Sequence, residues 1–451
     1  MKRLELLTTL AAWSIIVLLT TGCAGNLDEF DQVLGQGNAY LASGQYEQAI
    51  ADFAKAIEID PRSAAAHNGR GRAYLGNGQY DQAITDFSKA IALNSEFADA
   101  YTNRGNAYRS KGMPIAKSVA DWEKAKALRE NQAITELSRA IKTDPDSSGS
   151  YVARATSYQS IGQFDLAIAD YNKAIKLEPE NMSTYIVRGI FYSANGQHDL
   201  AIADHSKAIE MVPESAMAHY MRGGVYEKKG ALDQAMLDYT KAIQLNPPET
   251  VPGYNRGSPY VSRGMVYEKQ GQLDQAIADY TKAIELDPNA DAAPINEGIA
   301  FGKDLLAYYH RAQTYRKRAQ YNQAIADYDG LIEMVPDPRA YYYRGLAYRE
   351  KGQYAQAIAD YSKSIEVLPS PSTYYSRGRA YGDKGQYKQA ISDYSKAIEL
   401  NPSYALAYSN RGIAYLVELG DNAKGCADWK KACELGNCVE ITAFAEQKGC
   451  R

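Results

Sequence analysis

From residue 271 to residue 288 the chain reads Gly-Gln-Leu-Asp-Gln-Ala-Ile-Ala-Asp-Tyr-Thr-Lys-Ala-Ile-Glu-Leu-Asp-Pro. Ala276, Ile277, Tyr280, Ala283 and Ile284 stand at i, i+1, i+4, i+7 and i+8, which is one apolar face of an α-helix. Asp279, Lys282 and Glu285 lie outside that stripe. Pro288 cannot continue the helix and marks its end. Upstream, Tyr260, Gly264 and Tyr267 stand at i, i+4 and i+7 and predict a second helix, which Gly271 ends as the left-handed residue of a C-cap. Gly264, Ala276 and Ala283 are small where the two helices must approach, and Tyr260, Tyr267 and Tyr280 fill the space around that approach. This accounts for 37 tyrosines beside 8 phenylalanines.

The second-helix phrase returns at 44–61, 162–179, 352–369 and 385–402, each time behind a first-helix phrase such as Tyr341-Tyr-Tyr-Arg-Gly-Leu-Ala-Tyr348. The period is about 34 residues, the signature of a stacked array. The unit, with Tyr260, Gly264, Tyr267, Ala276, Tyr280, Ala283 and Pro288 at its large and small positions, closely resembles the tetratricopeptide repeat (TPR). Near-full copies over most of the chain carry the resemblance. It implies an all-α, right-handed superhelical solenoid of helix hairpins. The first helix of each pair would line a concave groove, and such grooves usually hold a peptide or helix from another protein.

The array is interrupted. Repeats are expected over 30–131, 148–249, 257–290 and 305–438. In the third repeat the second helix carries one extra residue and Trp122 replaces the tyrosine. A bare second-helix phrase then follows over 132–147, and no Gly or Pro stands between Ile115 and Asp144. One long helix, or two nearly collinear ones, is predicted there. Loop insertions are expected at 250–256 and 291–304, and a capping helix over 439–451.

Ahead of the array, residues 1–22 read as a lipoprotein-type signal peptide, with Lys2 and Arg3 before an apolar run. Leu19-Thr-Thr-Gly-Cys23 resembles a bacterial lipobox, although Thr20 stands where leucine is usual; the resemblance implies a lipidated, palmitate-bearing Cys23. A plain signal or an uncleaved anchor is the alternative. Residues 23–29 then form a tether. Ala24, after the cysteine, implies sorting to the outer membrane, facing the periplasm. The formal net charge of -4 gives no basic field for nucleic acid.

Arginine precedes the small first-helix residue in most repeats, for example Arg70, Arg263, Arg311 and Arg344, and an acid precedes the second-helix aromatic, as in Asp52, Asp86, Asp279 and Asp327. The first repeat has Asp52 but Gln36 in the arginine position. Pairing of each arginine with the preceding repeat, Arg70 with Asp52 and Arg311 with Asp279, is therefore expected.

Cys426, Cys433, Cys438 and Cys450 cluster at the C-terminal end, which suggests two disulfides in an exported chain. The nested pairs Cys426–Cys450 and Cys433–Cys438 are preferred; a zinc site is the rival reading. His205 and His219 occupy aromatic positions and read as satisfied core residues. No nucleophile–base set, metal motif or phosphate loop stands out, so no catalytic residue, metal ligand, cofactor or small-molecule substrate is assigned.

In the TPR family the groove is lined by first-helix residues one, five and eight after the leading aromatic. Those positions yield Tyr220, Met265, Tyr309, Arg316, Tyr342 and Arg349, then Tyr375 and Arg379. Asn68, Arg72, Asn106, Arg109, Ile186 and Ile190 are their N-terminal counterparts. The leading expectation is a non-enzymatic scaffold for other proteins, tethered to a bacterial envelope by its lipid. An adaptor for cell-wall enzymes and a cryptic enzyme using 291–304 are the alternatives.

Overall fold

The computed structural model describes residues 28–245, 255–286, 303–437 and Cys450. Every regular element among them is helical. The first hairpin is α1 (28–42) with α2 (Tyr46–Ile59). There follow α3 (Ala64–Gly76) and α4 (Tyr80–Leu93), α5 (Ala98–Ser110) and α6 (Ile115–Thr143), and α7 (Ser148–Ser160) and α8 (Phe164–Leu177). Next come α9 (Met182–Ala194) and α10 (His198–Met211), α11 (Ala216–Lys228) and α12 (Leu232–Leu245), and α13 (Ser258–Lys269) and α14 (Leu273–Leu286). The last hairpins are α15 (Lys303–Lys317) and α16 (Tyr321–Met334), α17 (Pro338–Glu350) and α18 (Tyr354–Val367), α19 (Pro371–Asp383) and α20 (Tyr387–Leu400), and α21 (Ala405–Ala414) and α22 (Asn422–Glu434). The chain divides into two compact units between Thr184 and Tyr185, and each is a solenoid of such hairpins.

Each hairpin closes on the small-residue contact that the pattern predicts. A Cβ on Gly264 would stand 2.7 Å from Tyr280 Cε1, and one on Gly345 2.7 Å from Tyr361 Cε1. Ala276, Tyr280 and Ala283 are fully buried. The turn between the helices needs a left-handed residue, supplied by Gly271 at φ 76°. In the turn from α15 to α16, Ala319 takes that conformation at φ 56°.

The arginine–acid pairing corrects the sequence expectation. Arg311 bonds Asp327, not Asp279: Nε to Oδ2 at 2.9 Å and Nη2 to Oδ1 at 2.6 Å. Likewise Arg70 bonds Asp86, not Asp52 (2.7 and 2.8 Å). The fork therefore closes within each hairpin that carries the arginine. The reason is geometric: the acid lies one helical turn from the small-residue contact, directly across the hairpin from its arginine. Asp279, which the apolar stripe left outside, is 6% exposed and belongs to this core. The same guanidinium lies between two first-helix tyrosines, as Arg263 does with its carbon 5.8 Å from the centroids of both Tyr260 and Tyr267. Such cation–π clamps give the tyrosines a second role.

The link to the preceding repeat comes from the third guanidinium nitrogen. Arg311 Nη1 donates to Thr281 (3.0 Å), Arg377 Nη1 to Ser362 (2.9 Å) and Arg104 Nη1 to Ser88 (3.2 Å), each acceptor lying two residues beyond its own repeat's aspartate. In the first repeat that position is Ala54. Asp52 is 8% exposed and its ion-pair partner is Lys55, at 3.6 Å. Gln36→Arg is expected to supply the missing fork and raise the stability of the first hairpin by about 1 kcal/mol. Slower amide exchange in α1 and α2 would show the gain; unchanged exchange would contradict it.

Of the two expected forms, one long helix or two nearly collinear ones, the single helix is present: α6 runs for 29 residues and packs on both α5 and α7. The extra residue of the third repeat falls not in the helix, as expected, but in the turn after Gly112, where Pro114 becomes the N-cap. Proline lacks the N–H that would extend the helix backward. In the last repeat the extra residue coincides with a π-helical turn, Tyr415–Leu419, that ends on Gly420 at φ 58°. Cys426 is bonded to Cys450, with Cα atoms 5.1 Å apart, and Cys433 is also in a disulfide. Residues 1–27 (including Cys23), Cys438, the cap over 439–449 and nearly all of both insertions lie outside the described residues. Of the second insertion, Lys303 and Asp304 are helical, so α15 starts earlier than expected.

Candidate functional site

Successive first helices lie side by side: α11 against α13, α13 against α15, and α17 against α19. Side chains at the first, fifth and eighth positions after the leading aromatic consequently form rows across neighbouring repeats. Tyr220, Met265, Tyr309, Arg316, Tyr342 and Arg349 are all half-buried in these rows.

The tyrosines form an edge-packed band. Tyr309 meets Tyr343 edge-on at 5.2 Å, and Tyr342 meets Tyr343 at 5.1 Å. Tyr342 Oη accepts from Ser376 of the next repeat (3.4 Å). Tyr375 departs from the expected exposed role: it is 9% exposed, packs on Tyr394 and Tyr404, and accepts from Asn410 Nδ2 (3.2 Å). Arg379 is exposed, its guanidinium 5.9 Å from the Tyr375 ring centre. In the N-terminal unit Asn68 is buried and accepts from Asn103 (3.0 Å), whereas Asn106 accepts from Trp122 Nε1 and Arg72 and Arg109 are exposed. Ile186 is buried and Ile190 exposed.

Sequence reasoning missed a polar ladder on this face. Lys228 donates to Ser193 (3.2 Å), Lys269 to Glu227 (2.6 Å) and Lys317 to Glu268. Each lysine stands nine residues after its leading aromatic and each acceptor eight after the one before, a spacing that could have revealed the ladder. The acids also accept from the tyrosine of their own second helix: Tyr239 Oη donates to Glu227 (2.8 Å) and Tyr280 Oη to Glu268 (3.1 Å). From α15 onward the polarity inverts. Arg316 donates to Glu350 (3.1 Å) and Arg349 to Asp383 (2.6 Å). The arginines expected to await a ligand thus already hold acids of the next repeat.

Burial alone would raise the Glu268 pKa, but hydrogen bonds from His310, Lys317 and Tyr280, with the Lys317 charge, bring it down to about 2. A folded pKa below the ordinary value of 4.5 means that this carboxylate stabilises the fold above pH 4.5. The contribution disappears as pH falls towards 2, and amounts to on the order of 3 kcal/mol. Glu268→Gln is expected to lower stability at pH 7 by that order and to flatten its decline below pH 4.5. Urea unfolding across pH would reveal equal slopes for both proteins if the assignment fails.

His205 and His219 are core residues. His219 places Nδ1 3.1 Å from Asp238 Oδ1 and Nε2 3.2 Å from the Pro213 carbonyl oxygen, both acceptors for a ring N–H. His205 is buried too, but it is not satisfied as expected: its Nδ1 has no hydrogen-bond partner. Burial, with the nearby Arg222 charge, holds its pKa to about 4. The neutral imidazole fills the space opposite Gly189 that a tyrosine takes in neighbouring repeats. Among the described residues no helix is long and apolar enough to cross a membrane, and no cluster of His, Cys, Asp and Glu is arranged to hold a metal.

Family profiles described as TPR repeat match residues 37–78, 71–112 and 378–418. Others described as tetratricopeptide repeat match 150–181, 259–290 and 338–371, then 192–250 and 306–338. Together they cover well over half of the chain. Among curated proteins no sequence matches. Similar solved structures include the C-terminal part of a TPR repeat-containing protein from Cytophaga hutchinsonii, at 21% identity and TM-score 0.46, covering 57% of this chain and 98% of that one. YrrB, described as a TPR protein with an unusual peptide-binding site, is 23% identical with TM-score 0.36, covering 48% and 97%. MamA from Desulfovibrio magneticus RS-1 is 21% identical with TM-score 0.35, covering 42% and 96%.

Proposed function

Since the chain belongs to the tetratricopeptide repeat family, we propose that it is a non-enzymatic scaffold that takes a peptide or helix of another protein against its first-helix face. The observation that carries this reading is the band of half-buried tyrosines around Tyr309, Tyr342 and Tyr343. Large amphipathic rings flanked by arginine, held rigid by their neighbours, are the usual anchors of an interface. A photo-crosslinking residue placed at Tyr309 or Tyr342 in the full chain should capture a protein partner in cells. The same residue at the exposed Leu237 on α12 should not. Capture only from position 237 would overturn the reading.

We propose further that the scaffold is anchored through a lipid on Cys23, on the periplasmic side of a bacterial outer membrane. Lys2 and Arg3, the apolar run and the Leu19–Cys23 ending support it. A tether would concentrate the array near envelope partners, cell-wall enzymes among them. Cys23→Ala should move the protein from the membrane fraction to the soluble fraction; unchanged membrane association would refute the anchor.

A further inference from the structure

In the unit 1–184 one second helix lacks a first helix of its own. α6 carries two second-helix phrases end to end. Its N-terminal half closes on α5, where Arg104 forks Asp121 with both bonds at 2.8 Å. Its C-terminal half, the bare phrase that begins at Gln132, meets the repeat that follows: Arg154 Nη1 donates to Ser138 (3.1 Å), as Arg311 Nη1 does to Thr281. That bond fixes the register. Ala133, Glu136, Leu137 and Ala140 stand where α14 has Ala276, Asp279, Tyr280 and Ala283.

In α14 those four residues are covered by α13: all are buried, and Asp279 lies in the fork of Arg263. In α6 the same face is open. Glu136 and Ala140 are exposed, and Ala133 and Leu137 are half-buried. Glu136 accepts from Gln132 Nε2 of its own helix (2.9 Å), and among the described residues no cation pairs with it. The face keeps the shape of a close helix contact, small residues on either side of a large one, with an acid at its edge. What is missing is the arginine and the helix that bears it.

We propose that this face of α6 seats a helix of another protein, lying antiparallel to residues 132–143 as a first helix lies against its second, and carrying an arginine followed by glycine or alanine. Charge complementarity selects the arginine, because Glu136 holds the acid position of the fork and a guanidinium answers it with two bonds. Ala133 and Ala140 admit a close backbone only if the residue opposite is small. Leu137 has no hydroxyl, so the incoming helix needs no acceptor against it, unlike α11 and α13, which place Glu227 and Glu268 against a phenol. From Ala133 to Ala140 the stripe is about 11 Å long, which two turns of helix cover. A second copy of this chain has no such helix to give: each arginine of this kind already forks the acid of its own hairpin. The site is separate from the rows of first-helix side chains, and failure of crosslinking at Tyr309 and Tyr342 would leave it standing.

The test uses the full chain and a fluorescein-labelled peptide with the sequence of α13, Ser258–Lys269, held helical by a hydrocarbon staple on its outer side. Fluorescence anisotropy should show saturable binding. Arg263→Gln in the peptide should weaken it about fivefold or more, and Glu136→Gln in the chain should weaken it by a similar factor. The two changes together should cost no more than either alone, since both remove the same pair.

Ala140→Met separates a seat for a helix from a solvated surface. Ala140 is exposed, so the thermal midpoint of the free protein should stay where it was, while the longer side chain occupies the place of closest approach and abolishes binding. Absence of binding by the stapled peptide, equal binding of its arginine and glutamine forms, or undiminished binding to the Ala140→Met chain would each overturn the proposal. Sedimentation velocity on the chain alone tests the other occupant. A dimer that Ala140→Met dissolves would give this face to a second copy, and the proposal would fall.

Discussion

Replacing Arg311 with methionine is expected to destabilise the hairpin of α15 and α16 by about 3–5 kcal/mol, the cost of stranding a buried charge. Asp327 is 6% exposed and Arg311 supplies both nitrogens of its fork. Burial by itself already raises the Asp327 pKa; the arginine opposes that, so its loss removes the main support of the ionised form. The carboxylate must then take up a proton or open the hairpin. Adding Asp327→Leu should recover most of the loss, because the desolvation penalty leaves with the charge. Hydrogen exchange across α16 reads the effect directly, and a loss below about 1 kcal/mol would place the fork among weak surface pairs. The same variant also breaks the bond from Arg311 Nη1 to Thr281, so exchange in α14 should quicken by a smaller factor.

Opening the Cys426–Cys450 bridge by Cys450→Ser should cost the terminal hairpin about 3 kcal/mol. The bond spans a sequence separation of 24, and a loop of that size constrains the unfolded chain by this order. Cys450 is 2% exposed and packs in a cluster with Leu416, Cys426 and Trp429, so the loss also loosens that end of the stack. Exchange in α21 and α22 should accelerate. Because each repeat leans on its neighbours alone, α11 and α12 should stay as they were. A uniform change throughout 185–451 would contradict this nearest-neighbour account.

The two predictions differ in how far the chain alone could have led to them. The cysteine pair was legible because Cys426 and Cys433 share a helix face and the segment after them is short enough to fold back. The direction of the arginine fork was not. Arg311 stands between two repeats, each offering an aspartate, and the spacing of letters is compatible with either. The Asp52–Gln36 asymmetry pointed the wrong way because it assumed that every buried acid has an arginine. Asp52 is instead a buried acid with Lys55 beside it.

The rows of first-helix side chains were legible by position and not by state. One, five and eight residues after the aromatic do select side chains of the first-helix face. Whether each is offered to a ligand depends on the next repeat: Asn410 claims Tyr375, Asp383 claims Arg349 and Glu350 claims Arg316.

By itself, then, the order of residues determined the helices, the small-residue contacts between them and the stacking of hairpins, since all of these follow from short-range periodicity and from glycine and proline; that α6 is one helix and not two collinear ones was left to the structure. Only the tertiary structure decided which acid each arginine takes and where the lysine–glutamate ladder reverses. Those outcomes depend on distances between side chains of different helices, and hydrogen bonds discriminate on a scale of tenths of an ångström that a one-dimensional spacing does not carry.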